Sequence, residues 1–436
     1  MIPTLKKLFV SKKSILVVFI VLATVIAISV IIPQQRDGVQ SAAWYRAYPL
    51  LERFVTAGGL DHIYGTWWFL VITAFFLMSL CISTCDQGRI AWKRMVGEGR
   101  LSYVEEVKLA GNREQVELQL LYNGYWTLHA ATATTRLVKN PWGFWGNFML
   151  HLGLALTVLF AVVYKATEHR FITRVVEGEE IYFNGENSAE RKGVLAGTMA
   201  VPAAIRVTAV TPEFYDNGQL LSLSSTGTFR SGNGEITPYH VAINGKISYE
   251  GMRVYQMNSF GTAFLLSLRS PGKPGGNEIL YLPAPSRRDT AAYGSLDLPG
   301  GEYTLKAKYG EPSGRPKSAG EPLLTLRLQR GKDLLGEVSL VSGVAGSLGP
   351  FAVSMQKTGW WTEYLFEGSS GTAGIFTGFA CILLGVVITY GAIPYVAVIS
   401  TNDRGTTISW QSQACTMFFR DERDRVLTLA RNGDIQ

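Results

Sequence analysis

Hydrophobic positions along this chain fall into two regimes, long unbroken runs and short alternating ones. Residues 14–32, 67–84, 142–164 and 374–398 are apolar over lengths that match the roughly 17 to 25 residues a helix needs to cross a bilayer. They predict four membrane helices and divide the chain into an N-terminus with the first helix (1–33), an outer loop (34–66), the second helix (67–85), a small polar region (86–141), the third helix (142–164), a long polar region (165–373), the fourth helix (374–398) and a tail (399–436). The first run is longer than the roughly 7 to 15 residues of a signal-peptide core, and the small-residue run Ser41, Ala42, Ala43 lies well past its end. An uncleaved anchor is therefore expected. Trp67 and Trp68 open the second run, and Trp360 and Trp361 precede the fourth, as interfacial aromatic belts do.

The alternating regime fills the two polar regions. In the long one, residues 204–210, 240–243, 252–257 and 324–328 read as strands, set between turn signals at Asn217-Gly218, Gly232 to Gly234, Asn244-Gly245 and Pro299 to Gly301. Regular turns between short strands predict sandwich-like packing. The glycine- and proline-rich stretch 270–277 is a candidate break between two lobes. In the small region, residues 116–122 and 125–130 alternate around Asn123-Gly124, the signal for a hairpin with a two-residue turn. The fold class so predicted is a membrane protein with four transmembrane α-helices, a large extracytoplasmic all-β domain and a small cytoplasmic subdomain.

Charge fixes the expected orientation, because lysine and arginine in short flanks mark the cytoplasmic side. Lys6, Lys7, Lys12 and Lys13 precede the first helix, and Arg89, Lys93, Arg94 and Arg100 follow the second, whereas Arg36, Arg46 and Arg53 are the only basic residues across 36–53. Both termini are expected inside and region 165–373 outside. The net charge of +7 is absorbed by this asymmetry and gives no reason to invoke nucleic acid. A chain that is 47% hydrophobic and 17% charged is too apolar for disorder.

Chemistry-bearing residues are few. No cysteine lies between Tyr164 and Ala380, so the outer region has no thiol chemistry. Cys81 and Cys85 stand one helical turn apart, a spacing that suits either a metal or redox pair or simple packing of small apolar residues; Cys381 and Cys415 are isolated. Gly374, Gly378, Cys381 and Gly385 form a small-residue stripe on the fourth helix, which permits close approach of another helix or admits a flat macrocycle; helix packing is the expected use, and the contact with a partner protein is expected to include the stripe. No phosphate-binding loop, nucleophile triad, zinc site or carboxylate dyad stands out, so catalysis by this chain alone is unsupported.

Of five histidines, only His151 is deep in a membrane run, about 13 Å beyond Trp142 at 1.5 Å per residue. An ionisable residue there is a functional-site candidate by default. Neutral imidazole suits the medium and is also the form that ligates iron. Asn147, four residues earlier, shares its face and is a candidate to hold the non-ligating nitrogen. Spacing alone leaves two readings open, a ligand or an interhelical hydrogen bond. His62, beside Tyr64, Trp67 and Trp68, is a weaker candidate to flank a planar ring and equally a polar neighbour of an aromatic belt. His129, His169 and His240 are expected to be structural or exposed.

Several segments resemble the ResB/CcsB family of system II cytochrome c biogenesis: Gly59-Leu60-Asp61-His62-Ile63-Tyr64 leading into Trp67-Trp68-Phe69-Leu70, the run from Gly143 to Gly153 through His151, Val176 to Glu179, Glu213 to Gly218, and Tyr249 to Gln256. Two departures are Gly245-Lys246-Ile247, where that family often has proline and leucine, and the absence of Asp-Pro-Gly before the fourth helix. The resemblance implies a subunit of a holocytochrome c synthetase complex in the bacterial cytoplasmic membrane, not itself an enzyme, that helps carry haem b and present it to apocytochrome c at a Cys-Xaa-Xaa-Cys-His motif. It implies a ResC/CcsA-type haem-binding partner, membrane lipid, and thiol-reducing proteins acting indirectly. His151 would be an axial ligand to haem iron, with a partner histidine opposite. The competing reading is a scaffold that braces the partner without touching haem. A transporter fits poorly, because no broken helices or inverted halves are evident.

Overall fold

The computed structural model describes residues 9, 11–32, 45, 48–97, 101, 103–109, 112–183, 190–197, 201–269, 276–287, 290–299, 301–310, 324–402, 405–413 and 420–432. The chain forms two compact units, one of residues 1–165 with 370–436 and one of 166–369. Ser41 to Ala43, Arg36, Arg100, Cys415 and most of 270–277 lie outside the described residues.

In the first unit, helix α1 is Lys12–Ile31, α2 Pro49–Gly58 and α3 Trp67–Met95. Strand β1 (Tyr103–Lys108), helix α4 (Arg113–Tyr122), strands β2 (Trp126–Ala130) and β3 (Thr134–Lys139) and a 3-10 turn at Pro141–Trp145 lead into helix α5, Gly146–Thr167. Among the described residues, four helices are long and apolar enough to span a membrane: α1, α3, α5 with its leading turn, and α6, Thr372–Gly391.

The second unit is all β. In chain order its strands are β4 (His169–Val176), β5 (Glu180–Tyr182), β6 (Arg191–Lys192), β7 (Ala204–Phe214), β8 (Leu220–Arg230), β9 (Ile236–Ala242), β10 (Lys246–Tyr249) and β11 (Met252–Arg269). They continue with β12 (Gly276–Pro283), β13 (Ala292–Asp297), β14 (Thr304–Tyr309), β15 (Leu324–Arg330), β16 (Asp333–Leu340), β17 (Ala345–Leu348) and β18 (Phe351–Gly368). After α6, the chain closes with β19 (Tyr395–Asn402), β20 (Gly405–Ser412) and helix α7 (Arg420–Asn432).

The sandwich pattern is met twice over. One sheet runs β10-β11-β18-β4-β6, with β12 and β17 added at its flanks, and two four-stranded sheets, β13-β14-β15-β16 and β5-β7-β8-β9, cover it. Phe264, Leu266, Leu280, Leu305, Leu326 and Val353 centre one core; Phe171, Ile205, Leu223, Phe229, Val254 and Phe366 centre the other. The division does not fall at 270–277. Both cores share the 18-residue strands β11 and β18, and the ladder between them shifts register between Gln256 and Phe260, where extra residues bend a strand.

Other expectations are corrected by the elements. Residues 116–122 are helix, not strand: Val116 and Leu120 are buried one turn apart while Leu118 is exposed, and Asn112 accepts a hydrogen bond from the Glu114 N–H as an N-cap. Asn123-Gly124 ends this helix, with Gly124 at φ 87°, instead of turning a hairpin. The loop 34–66 contains helix α2. The second helix runs ten residues past 85, to Met95. The fourth stops at Gly391, and the apolar residues that follow belong to β19, because Pro394 cannot continue a helix. The tail joins the small region in a single sheet, β1-β20-β19-β3-β2, and Lys139 on β3 pairs with Glu422 on α7 at 3.0 Å. Trp361 is buried within β18 and donates to the Leu282 carbonyl at 3.1 Å, so it is core of the β unit and not an interfacial belt.

Candidate functional site

The geometry of α5 is set by glycine. Added Cβ atoms at Gly146 and Gly153 would meet α6 atoms at 2.3 and 2.7 Å, and at Gly374, Gly378 and Gly385 they would meet α5 atoms at 2.2, 2.3 and 2.7 Å. The small-residue stripe of α6 is therefore filled by this chain's own α5, not left for a partner. Thr157 on the same seam donates to the Gly153 carbonyl at 2.8 Å. Residues turn by about 100° each around a helix, so His151 points well away from the face of Gly146, Leu150, Gly153 and Thr157 that meets α6. It shares its side of α5 with Asn147 and Leu154, both exposed, and is itself half-buried.

The His151 ring is held through Nδ1, 2.8 Å from the Asn147 backbone oxygen. A carbonyl oxygen can only accept, so Nδ1 is the donor, and in the neutral ring the lone pair is then on Nε2, the nitrogen left open to a metal. Asn147 thus supplies the orienting contact through its main chain; the expected side-chain contact is not made. Sequence reasoning missed the i−4 carbonyl, which is present at every helical position and leaves no mark in residue type.

His62 is built in the same way. Its Nδ1 lies 2.7 Å from Oδ1 of Asp61, whose side chain is largely buried while that of His62 is exposed. Trp68 donates to the Gly58 carbonyl at 3.2 Å, and Gly59, at φ 65°, turns the chain beneath the His62 ring. Tyr64 shares a 2.8 Å hydrogen bond with Ser29 of α1, and the Lys165 ammonium lies 5.5 Å from the centre of the Tyr64 ring. This cation–aromatic contact pins the end of α5 to the start of α3.

The two histidines are not brought together. Lys165 meets Tyr64 at one end of the α3–α5 pair, and Phe148 packs on Gly88 at the other, so the helices run antiparallel. Counting from the second contact, His151 lies near the level of Cys85, 18 residues along α3 from Trp67. Along α5, His151 lies 14 residues, about 21 Å at 1.5 Å per residue, from Lys165, which meets Tyr64 two residues from His62.

The remaining candidates separate. Cys81 and Cys85 are free and exposed, and Cys381 is free and half-buried. Among the described residues no group of three histidine, cysteine or acidic side chains could hold a metal ion. His129 and His240 are exposed on strands. His169 is buried, with Nε2 2.5 Å from Oε1 of Glu190, a pairing across 21 residues that no local pattern signals. Hydrogen bonds from Lys192 and then His169 hold the Glu190 carboxyl below the usual carboxylate range.

Residues 14–286 match the model of the ResB-like family. The cytochrome c biogenesis protein CcsB of Trichormus variabilis is 23% identical over 399 residues, covering 84% of this chain and 80% of that protein. CcsB of Picosynechococcus sp. is 22% identical over 389 residues, covering 85% and 79%. The cytochrome c biogenesis protein ResB of Bacillus subtilis is 23% identical over 184 residues, covering 37% and 32%.

Proposed function

Because the chain belongs to the ResB-like family, we propose that it serves cytochrome c biogenesis as a membrane subunit that holds haem as cargo at His151 and presents it, with a ResC/CcsA-type partner, to apocytochrome c. The observation that carries this reading is how His151 is held: on an apolar helix, with Nδ1 donating to a main-chain carbonyl and the ring turned off the face that packs against α6, which leaves Nε2 as the nitrogen for a ligand. Iron held between two imidazoles in a dry surround has its potential set by burial and by the hydrogen bonds those imidazoles make. His151 contributes one such nitrogen, and its half-exposed face leaves room for the second from the partner.

His62 offers a second station at the far end of the same helices. Asp61 accepts a hydrogen bond from its Nδ1 and so fixes the orientation of the ring. Two histidines separated along the same helices, each with Nδ1 held by an oxygen, suit a subunit that passes cargo from one station to the next. The basic flanks support both termini in the cytoplasm and the β unit outside, the side on which apocytochrome c would be met.

The test is c-type cytochrome yield, read by haem staining of cells carrying the native chain, His151→Ala or His62→Ala at equal membrane abundance. Loss with His151→Ala, restored by exogenous imidazole, supports the ligand role. Full yield with both variants sinks it and leaves a bracing subunit.

A further inference from the structure

The largest sheet of the β unit contains a window. On one side, β18 pairs with β11 from Ala352 to Glu367. On its other side β17 covers only Phe351 to Ser354, and β4 only Trp361 to Gly368. Main-chain bonds close the two ends, from Gly343 N–H to the Met355 carbonyl at 3.2 Å and from Glu177 N–H to the Trp360 carbonyl at 2.8 Å. Between them, among the described residues, nothing pairs with this edge at 356–359. The Trp360 carbonyl points to the open side, so the alternation of a strand turns the N–H and C=O of Thr358 the same way.

Such open main-chain groups are a template for another strand, and the ladder with β11 shifts register at Gln356, at the start of this edge. The window is about 13 Å long at 3.3 Å per residue, enough for three or four extended residues. It opens on a cavity of about 490 Å³ lined by Glu177, Thr208, Thr262, Tyr309, Lys357 and Trp360. Lys357 is exposed and makes no ion pair with a described residue, although Glu177 lines the same cavity. Its ammonium lies close to the β4–β5 turn, 3.6 Å from where a Cβ on Gly178 would be. Hydroxyls, a cation and open main chain suit a polar, extended ligand better than an apolar one.

We propose that the 356–359 edge of β18 takes up a short extended segment of a client polypeptide as an added strand, with an acidic side chain of the segment meeting Lys357. Main-chain bonds would give affinity and the cavity side-chain preference. That the client is apocytochrome c rests on the biogenesis reading above; the demand for an extended acidic segment does not.

The experiment uses the full-length protein in nanodiscs with short overlapping peptides of an apocytochrome c, read by fluorescence anisotropy. A peptide containing aspartate or glutamate is expected to bind, to lose binding when its alternate amides are N-methylated, and to bind about fivefold more weakly to Lys357→Glu, as for loss of one exposed ion pair. No binding by any acidic peptide, or equal binding after N-methylation, would overturn the proposal. So would a photocrosslinker at position 358 that joins only to the chain itself in cells. The two readings fail separately: if cells lacking the chain stain normally for cytochrome c, the biogenesis reading fails, while binding of an unrelated extended acidic peptide still supports the edge.

Discussion

At the scale of single residues, what matters is which atom does the orienting. Because the Asn147 main chain, not its side chain, accepts from His151 Nδ1, Asn147→Ala is expected to leave haem content and the haem absorption spectrum of the purified complex unchanged. A spectral change would show that the side chain has a role the geometry does not give it. Glu190 supplies a pH dependence. Its folded pKa lies below the ordinary value, so its contribution to stability is present above that value and is lost as pH falls through the folded pKa. The melting temperature of the β unit is expected to fall on acidification below about pH 4.5, and less so in Glu190→Gln. Parallel acid profiles for the two proteins would count against the pairing. His151 stands out in the sequence because it is an imidazole among aliphatic neighbours in an apolar run. The pairing of His169 with Glu190 was not legible there, since it depends on two strands meeting.

At the scale of elements, the helices were legible wherever the apolar run exceeded a bilayer, and their ends were not. Residues 395–399 of β19 are apolar because the strand lies between β3 and β20 with Tyr395, Val396, Ala397 and Ile399 all buried; a strand buried on both faces and a membrane helix look alike over a few residues. Helix α4 was misread for a related reason. Val116, Leu118 and Leu120 alternate as a strand would, while Val116 and Leu120 alone also satisfy helical spacing. The caps at Asn112 and Gly124 decide it. The seam between α5 and α6 gives a direct test. Gly378→Leu would drive a side chain into Thr157 and the Gly153 backbone, and overpacking of this kind costs about 1–3 kcal/mol or more. A lower melting temperature is expected for the chain purified alone, and an unchanged one would return the stripe to a partner.

At the scale of the whole molecule, each unit has its own means of holding together. The β unit shares two long strands between two cores and threads one of them with a buried polar chain: Tyr239 donates to Tyr364, Tyr364 to Ser225 at 2.6 Å, and Ser225 to Gln256 at 3.0 Å. Tyr364→Phe leaves the Tyr239 and Ser225 hydroxyls without this partner and is expected to cost about 1–3 kcal/mol, seen as a shift in the urea midpoint; a shift near zero would mean that those hydroxyls find other partners. The membrane unit joins four helices to a sheet assembled from both sides of the long β insertion. That closure could not be read from sequence, because strands 256 residues apart leave no local sign of pairing, as with Tyr395 and Lys139. Whether His151 holds haem, as proposed, is tested most directly by one measurement, the haem content and absorption spectrum of the complex purified with the proposed ResC/CcsA-type partner, native against His151→Ala at equal recovery. Loss of haem, or its return with imidazole, is the expected result; an unchanged spectrum and content would contradict the account.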